Sequence, residues 1–283
     1  MGFHTKPTTF VGHVRIKIEN LQRSIKFYQD VLGFDILKKT NSTVKLTSDG
    51  KTSILSLEQP DNVIPKKGRT TGLYHFAILL PERKDLANIV IHLVNKGIKF
   101  GSSDHLVSEA LYLNDPDGNG IEIYIDREPS KWSWKGEEVA MTVDPLDFKN
   151  LLTTVKPGEK WQGMPAGTVM GHIHLHVLEL KKTEEFYVKG LGFDVVNRYG
   201  GQALFLSAGK YHHHIGVNTW NGAGAPTPSK NSVGLESFTL ILPTEEARNQ
   251  VVFNLKQIGA NVMEENHTFI TSDPSGNQVE LVV

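Results

Sequence analysis

"GHVRIKIENLQRSIKFYQDVLGFDIL" (residues 12–37) returns 159 residues later, without a gap, as "GHIHLHVLELKKTEEFYVKGLGFDVV" (171–196). An internal repeat of this length marks duplicated structural units, and it governs the assignment of everything around it. Two further echoes keep the same order. "GLYHFAILLP" (72–81) returns as "GLESFTLILP" (234–243), and "DPDGNGIEI" (115–123) as "DPSGNQVEL" (273–281). The chain therefore reads as two homologous halves, 8–128 and 168–283, joined by a linker over 129–167 that contains Trp132, Trp134, Pro145 and Pro165.

Each half is doubled again. Val14, Ile16 and Ile18 alternate with His13, Arg15 and Lys17, the pattern of a half-buried strand. Leu21, Ile25, Tyr28 and Leu32 follow at helical spacing, and Gly33 supplies a helix stop. "STVKLTSDGKTSILSLE" then reads as strand, Asp-Gly turn and strand. The pattern restarts at Gly72. His75, Ala77 and Leu79 share one strand face, and a helix through Leu86, Val90 and Leu93 comes next, ended by Gly97. The expectation is an α+β chain of four βαβββ units, two per half, with curved mixed sheets.

One face of each sheet is apolar and covers its helices. The other carries polar side chains and faces a concavity, where ligand sites form. His13 opens the first unit on that polar face, and His75 holds the same place in the second. The turn Asp115–Gly120 starts the strand that carries Glu122. If paired units are related by a local two-fold, the opening strands lie close together and His13, His75 and Glu122 converge. Two imidazoles and one carboxylate with open positions are the donor set of non-haem Fe(II) oxygenases.

Composition narrows the alternatives. The 283 residues carry a net charge of −1, which gives no electrostatic footprint for nucleic acid or for a membrane surface. The absence of Cys excludes disulfides, thiolate zinc sites and Cys nucleophiles. Twelve His leave imidazole and carboxylate as the good ligands for a transition metal. The first ten residues lack the apolar core of a signal peptide, so the cytoplasm is the expected location.

The repeated units, "FYQDVLGF", "LYHFAILLP" and "YLNDPDGNGIE" resemble the vicinal-oxygen-chelate superfamily along nearly the whole chain. That superfamily includes glyoxalase I, fosfomycin-resistance proteins and extradiol ring-cleaving dioxygenases. His105, Leu111-Tyr112, Asp115-Pro116, Gly118 and Glu122 follow the extradiol signature, which departs at Ser103. The order of motifs, with "GHIHLHV" and "YHHHIGVNTW", is similar to bacillar catechol-2,3-dioxygenases. The resemblance implies two tandem vicinal-oxygen-chelate domains and an Fe(II)-dependent dioxygenase, with Mn(II) suiting the same ligands. It implies His13, His75 and Glu122 as metal ligands and His105 and Tyr112 as catalytic groups beside them. Its substrates would be a small aromatic diol and O₂, and the reading leaves room for pairing with a second copy of the chain.

The same resemblance offers a competing site. The two-domain extradiol enzymes hold their metal in the C-terminal half, where this chain has His172 and Glu280 but Ser237 in place of the middle histidine. His214 falls where glyoxalase I enzymes carry a ligand glutamate, so His172, His214 and Glu280 form a second candidate set. A fold shared by many activities keeps two other functions in view: a glyoxalase-like metal lyase or transferase, and a metal-free binding protein for small aromatic compounds.

Overall fold

A computed structural model describes residues 2–156, 158–266 and 268–283. The first unit runs β1 (Phe10–Lys17), α1 (Leu21–Asp30), β2 (Asp35–Lys39), β3 (Thr43–Thr47) and β4 (Ser53–Glu58). The second runs β5 (Gly72–Leu79), α2 (Arg83–Asn95), β6 (Gly101–Asp104), β7 (Ser108–Asn114) and β8 (Gly120–Asp126). The linker folds a short hairpin, β9 (Trp134–Lys135) and β10 (Glu138–Val139), and one helix, α3 (Phe148–Leu152). The third unit has β11 (Val169–His176), α4 (Leu180–Glu185), β12 (Asp194–Tyr199), β13 (Ala203–Ser207) and β14 (Ile215–Asn218). The fourth has β15 (Gly234–Ile241), α5 (Glu245–Gln257), β16 (Val262–Glu265), β17 (Thr268–Ser272) and β18 (Gln278–Val282). The α+β class and the four βαβββ units are as the alternation predicts.

Local chemistry sets the element ends. The Asn20 side chain caps α1 by accepting from the Arg23 N–H at 2.9 Å. Thr244 caps α5 in the same way. Helix faces and the apolar strand faces bury together: Leu21, Ile25 and Tyr28 of α1 share one core with Val14, Ile16 and Leu55. Among the described residues, no helix is long and apolar enough to cross a membrane.

The strands form two eight-stranded mixed sheets, and each takes one unit from each half. One has the order β16-β17-β18-β15-β1-β4-β3-β2, the other β12-β13-β14-β11-β5-β8-β7-β6. The first unit thus pairs with the fourth and the second with the third. At each centre two opening strands run antiparallel, β1 with β15 and β5 with β11. The boundaries 8–128 and 168–283 mark copies of sequence, and the sheets cut across them.

Paired tyrosines tie the sheets together. Tyr28 of α1 donates to the Asp115 carboxylate at 3.1 Å, and Tyr187 donates to Asp273 at 3.2 Å. Each aspartate also accepts two backbone N–H groups and an Asn amide within its own turn. The linker is equally well anchored. Trp132 and Val139 bury with Tyr211, Val196 and Phe3 in a small second core. Backbone bonds join Asp104 and Asp144 in both directions, at 2.8 and 3.0 Å.

Candidate metal centre

The register across β7, β8, β5 and β11 builds the site. Tyr112 lies opposite Glu122, Glu122 beside Ala77, and Ala77 opposite His172, so the four make one row across the sheet. His75 precedes Ala77 by two residues and shares its face. Only the Ala77 methyl separates Glu122 from His172, which leaves space between the larger side chains. Gly120 is required next to this row. A Cβ there would come within 2.0 Å of the Tyr74 carbonyl oxygen, so a larger residue would push β8 away from β5.

His75, Glu122 and His172 converge with ligand atoms all within 4.8 Å of one another. All three side chains are buried. His172 Nε2 lies 3.1 Å from Glu122 Oε2, and His75 Nε2 lies 3.0 Å from the same oxygen. His75 Nε2 is buried without a hydrogen bond of acceptable geometry, and so is His172 Nδ1. A buried ring nitrogen left unpaired beside a buried carboxylate, as His75 Nε2 is, is costly unless a further group satisfies it. The donor set of two imidazoles and one carboxylate fits a divalent transition metal. Burial lowers His172 to about 4, partly offset by Glu122, so it is neutral and able to ligate. Burial would raise Glu122, but the His172 and His75 imidazoles outweigh it and hold the carboxylate well below its usual range.

Of the expected set, the structure brings His75 and Glu122 together and places His13 elsewhere. His13 lies on the other sheet, where β1 pairs with β15, and its Nε2 bonds Ser56 Oγ at 2.8 Å. There His13, Thr239 and Glu280 make the row that matches His172, Ala77 and Glu122. Ser237 takes the place of His75 and donates to Glu280 at 2.7 Å. Arg15 stands 3.6 Å from the same carboxylate. A row short of one imidazole, with a guanidinium on its carboxylate, is poorly suited to a cation.

The second candidate set is not assembled either. His172 belongs to the cluster above, but Glu280 sits on the other sheet. His214 has both ring nitrogens engaged: Nδ1 accepts from the Ala208 N–H at 3.2 Å, and Nε2 donates to the Phe3 carbonyl at 3.0 Å. It has no lone pair left for a metal.

Above the cluster opens a cavity of about 370 Å³, whose walls include His75, Glu122, His105, Tyr112, His174 and His213. His105 Nδ1 donates to the Thr142 carbonyl at 2.6 Å, and its Nε2 lies 2.6 Å from the Tyr112 hydroxyl. A carbonyl only accepts, so Nδ1 carries a proton and Nε2 is the atom that meets the Tyr112 hydroxyl. Burial, reinforced by Glu122, raises Tyr112 well above its usual value and keeps the phenol protonated.

A second chain of bonds enters from behind. Asp126 accepts from His212 Nε2 at 2.8 Å, and His212 Nδ1 faces His213 Nδ1 at 2.8 Å. With the Asp126 bond fixing the proton on His212 Nε2, His212 Nδ1 accepts from His213, and His213 Nε2 keeps its lone pair. Burial, with His172 and His212 adding to it, holds His213 well below its usual value. The alternation of "YHHHIGVNTW" sets His213 apart from His212 and His214 and gives it no role. Residues 211–214 precede β14, so strand alternation does not govern them.

Comparison with known proteins agrees with this architecture. The chain is 45% identical over 279 residues to a catechol-2,3-dioxygenase of Bacillus subtilis (strain 168), covering 97% of this chain and 98% of that protein. It is 31% identical over 122 residues to biphenyl-2,3-diol 1,2-dioxygenase 3 of Rhodococcus globerulus, covering 42% of this chain and 64% of that one. The fold matches glyoxalase I from Zea mays with a TM-score of 0.58 at 16% identity, over 97% of this chain and 92% of that one. Residues 10–123 and 169–281 match the family profile, and the chain belongs to the Glyoxalase/Bleomycin resistance protein/Dioxygenase superfamily.

Proposed function

We propose that the protein is an extradiol dioxygenase that opens the ring of a catechol next to its diol, with Fe(II) held by His75, Glu122 and His172. The observation that carries this reading is the buried cluster itself: two imidazoles and one carboxylate at the foot of a cavity. A glyoxalase-like site would add a fourth protein ligand. His214, the residue the sequence offers for that place, has both nitrogens engaged elsewhere. The 45% identity to a catechol-2,3-dioxygenase across nearly the full chain supports the same reaction class.

His75, Glu122 and His172 would hold the Fe(II), which would supply Lewis acidity and a route for electrons from the diol to O₂. Both atoms of O₂ enter the product, so no outside reductant is needed. The chain's own residues manage protons and position. His213 is neutral, lines the cavity and offers Nε2 to a catechol hydroxyl as the acceptor of its proton. Asp126 and His212 behind it fix the orientation and tautomer that make Nε2 the accepting atom. On the opposite wall, His105 and Tyr112 form a hydrogen-bonded pair that holds a hydroxyl proton at the site.

The test is anaerobic loading with Fe(II), followed by catechol and air. Oxygen uptake and a coloured ring-opened product are expected together. Absence of both across catechol and several substituted catechols refutes the assignment.

A further inference from the structure

The segment between the two halves does more than connect them. Residues 141–143 form part of the cavity wall, and Asp144 is fastened to the second sheet by its backbone pair with Asp104. Thr142 turns its carbonyl to His105. Met141 and Val143 on either side face the cavity with Tyr199, Phe205 and Trp220 of the third unit. The metal cluster lies at the buried end. Val143 is 66% exposed, Tyr199 50% and Trp220 39%, so these three rim the open end.

The dimensions and chemistry of this outer part constrain the substrate. A cavity of roughly 150 Å³ is sufficient for benzene, and this one measures about 370 Å³. A single dihydroxylated ring leaves much of it unfilled. Among the described residues, no Lys or Arg lines the cavity. A carboxylate carried on the ring would lose water there without gaining a cationic partner. The apolar rim gains when an apolar group covers it.

Taking the ring-cleavage reading above as its basis, the geometry points to a substrate class: catechols that carry an uncharged aryl or alkyl substituent. The substituent lies between Val143 and the Tyr199–Trp220 side of the mouth, which makes the inter-half segment a specificity determinant.

Binding can be measured apart from turnover, by anaerobic calorimetry of the Fe(II)-loaded protein. The probes are catechol, biphenyl-2,3-diol, biphenyl-3,4-diol and 3,4-dihydroxybenzoate. At least one biphenyl diol should bind about tenfold or more tightly than catechol, and 3,4-dihydroxybenzoate more weakly than either. Val143→Asp and, separately, Trp220→Ala should collapse the ratio of the biphenyl-diol to catechol dissociation constants. Val143→Lys should raise affinity for 3,4-dihydroxybenzoate. Equal affinity for all four probes, or a ratio that survives both substitutions, overturns the inference. Admitting air then separates the two questions: failure to cleave any bound diol refutes the ring-cleavage reading, whereas cleavage of catechol with no preference for substituted rings refutes only the substrate class.

Discussion

The Tyr112 hydroxyl stands 2.6 Å from His105 Nε2, and the Thr142 carbonyl accepts from Nδ1 of the same ring. With His105 Nδ1 donating to that carbonyl, the ring is held with Nε2 against the tyrosine hydroxyl, so a proton can be shared between them. Tyr112→Phe and His105→Ala should each lower kcat by about a hundredfold, the scale on which positioned proton donors and acceptors act. Metal content should stay near that of the native protein. Paired steady-state kinetics and iron analysis check this, and loss of iron in either variant would make the pair a structural support instead.

Replacing His172 or Glu122 with Ala should prevent retention of Fe(II), whereas His13→Ala and Glu280→Ala should leave iron bound. Elemental analysis after anaerobic loading and desalting separates the two sheets directly. Iron lost with His13 and kept without His172 would reverse the assignment.

Asp126→Asn keeps a side chain of the same shape but no longer dictates that His212 Nε2 carries the proton. Turnover is expected to fall by about tenfold or more with little change in KM, because the change reaches His213 through its tautomer. A rise in KM with unchanged kcat would place Asp126 in substrate binding.

Acid should destabilise the metal-free protein over a defined window. Burial lowers His172 and His176 to about 4 and His214 well below its ordinary value. The unfolded chain takes up these protons near pH ~6.5. The stability of burying the neutral rings is therefore complete above that pH. It is lost as pH falls towards about 4, since the unfolded state binds more protons there. Thermal melts in chelator from pH 8 to 4 should show Tm falling through this range. The slope should be shallower in His214→Gln, and an unchanged slope would assign the acid sensitivity to other groups.

Much of the architecture is legible in the sequence because its signals are local. Alternation in Val14–Ile18 and in His75–Leu79 identifies strands and their polar faces, and the repeat multiplies each assignment across the chain. This alternation puts His75 and Glu122 on the inner face, and His105 and Tyr112 come from the motif around them. Partner choice between strands is long-range. Nothing within "GHVRIKI" states that β1 pairs with β15, so alternation alone groups His13 with residues it never meets. His213 and Asp126 give no such local signal. One lies in irregular backbone before β14, and the other ends a strand as an ordinary carboxylate. Their connection exists only after the second and third units join.

Because each sheet borrows a unit from both halves, the halves invite fragment complementation. A polypeptide of residues 8–128 carries His75 and Glu122, and one of residues 168–283 carries His172 and His213. Cut apart, each would display unpaired strand edges at β1 and β5 or at β11 and β15. Each such edge is a template for the missing partner. Neither fragment holds a complete ligand set, so uptake of a metal ion would report that two separately made chains had found each other. The fused gene can thus be treated as a tethered heterodimer, with residues 129–167 setting the local concentration of its two parts.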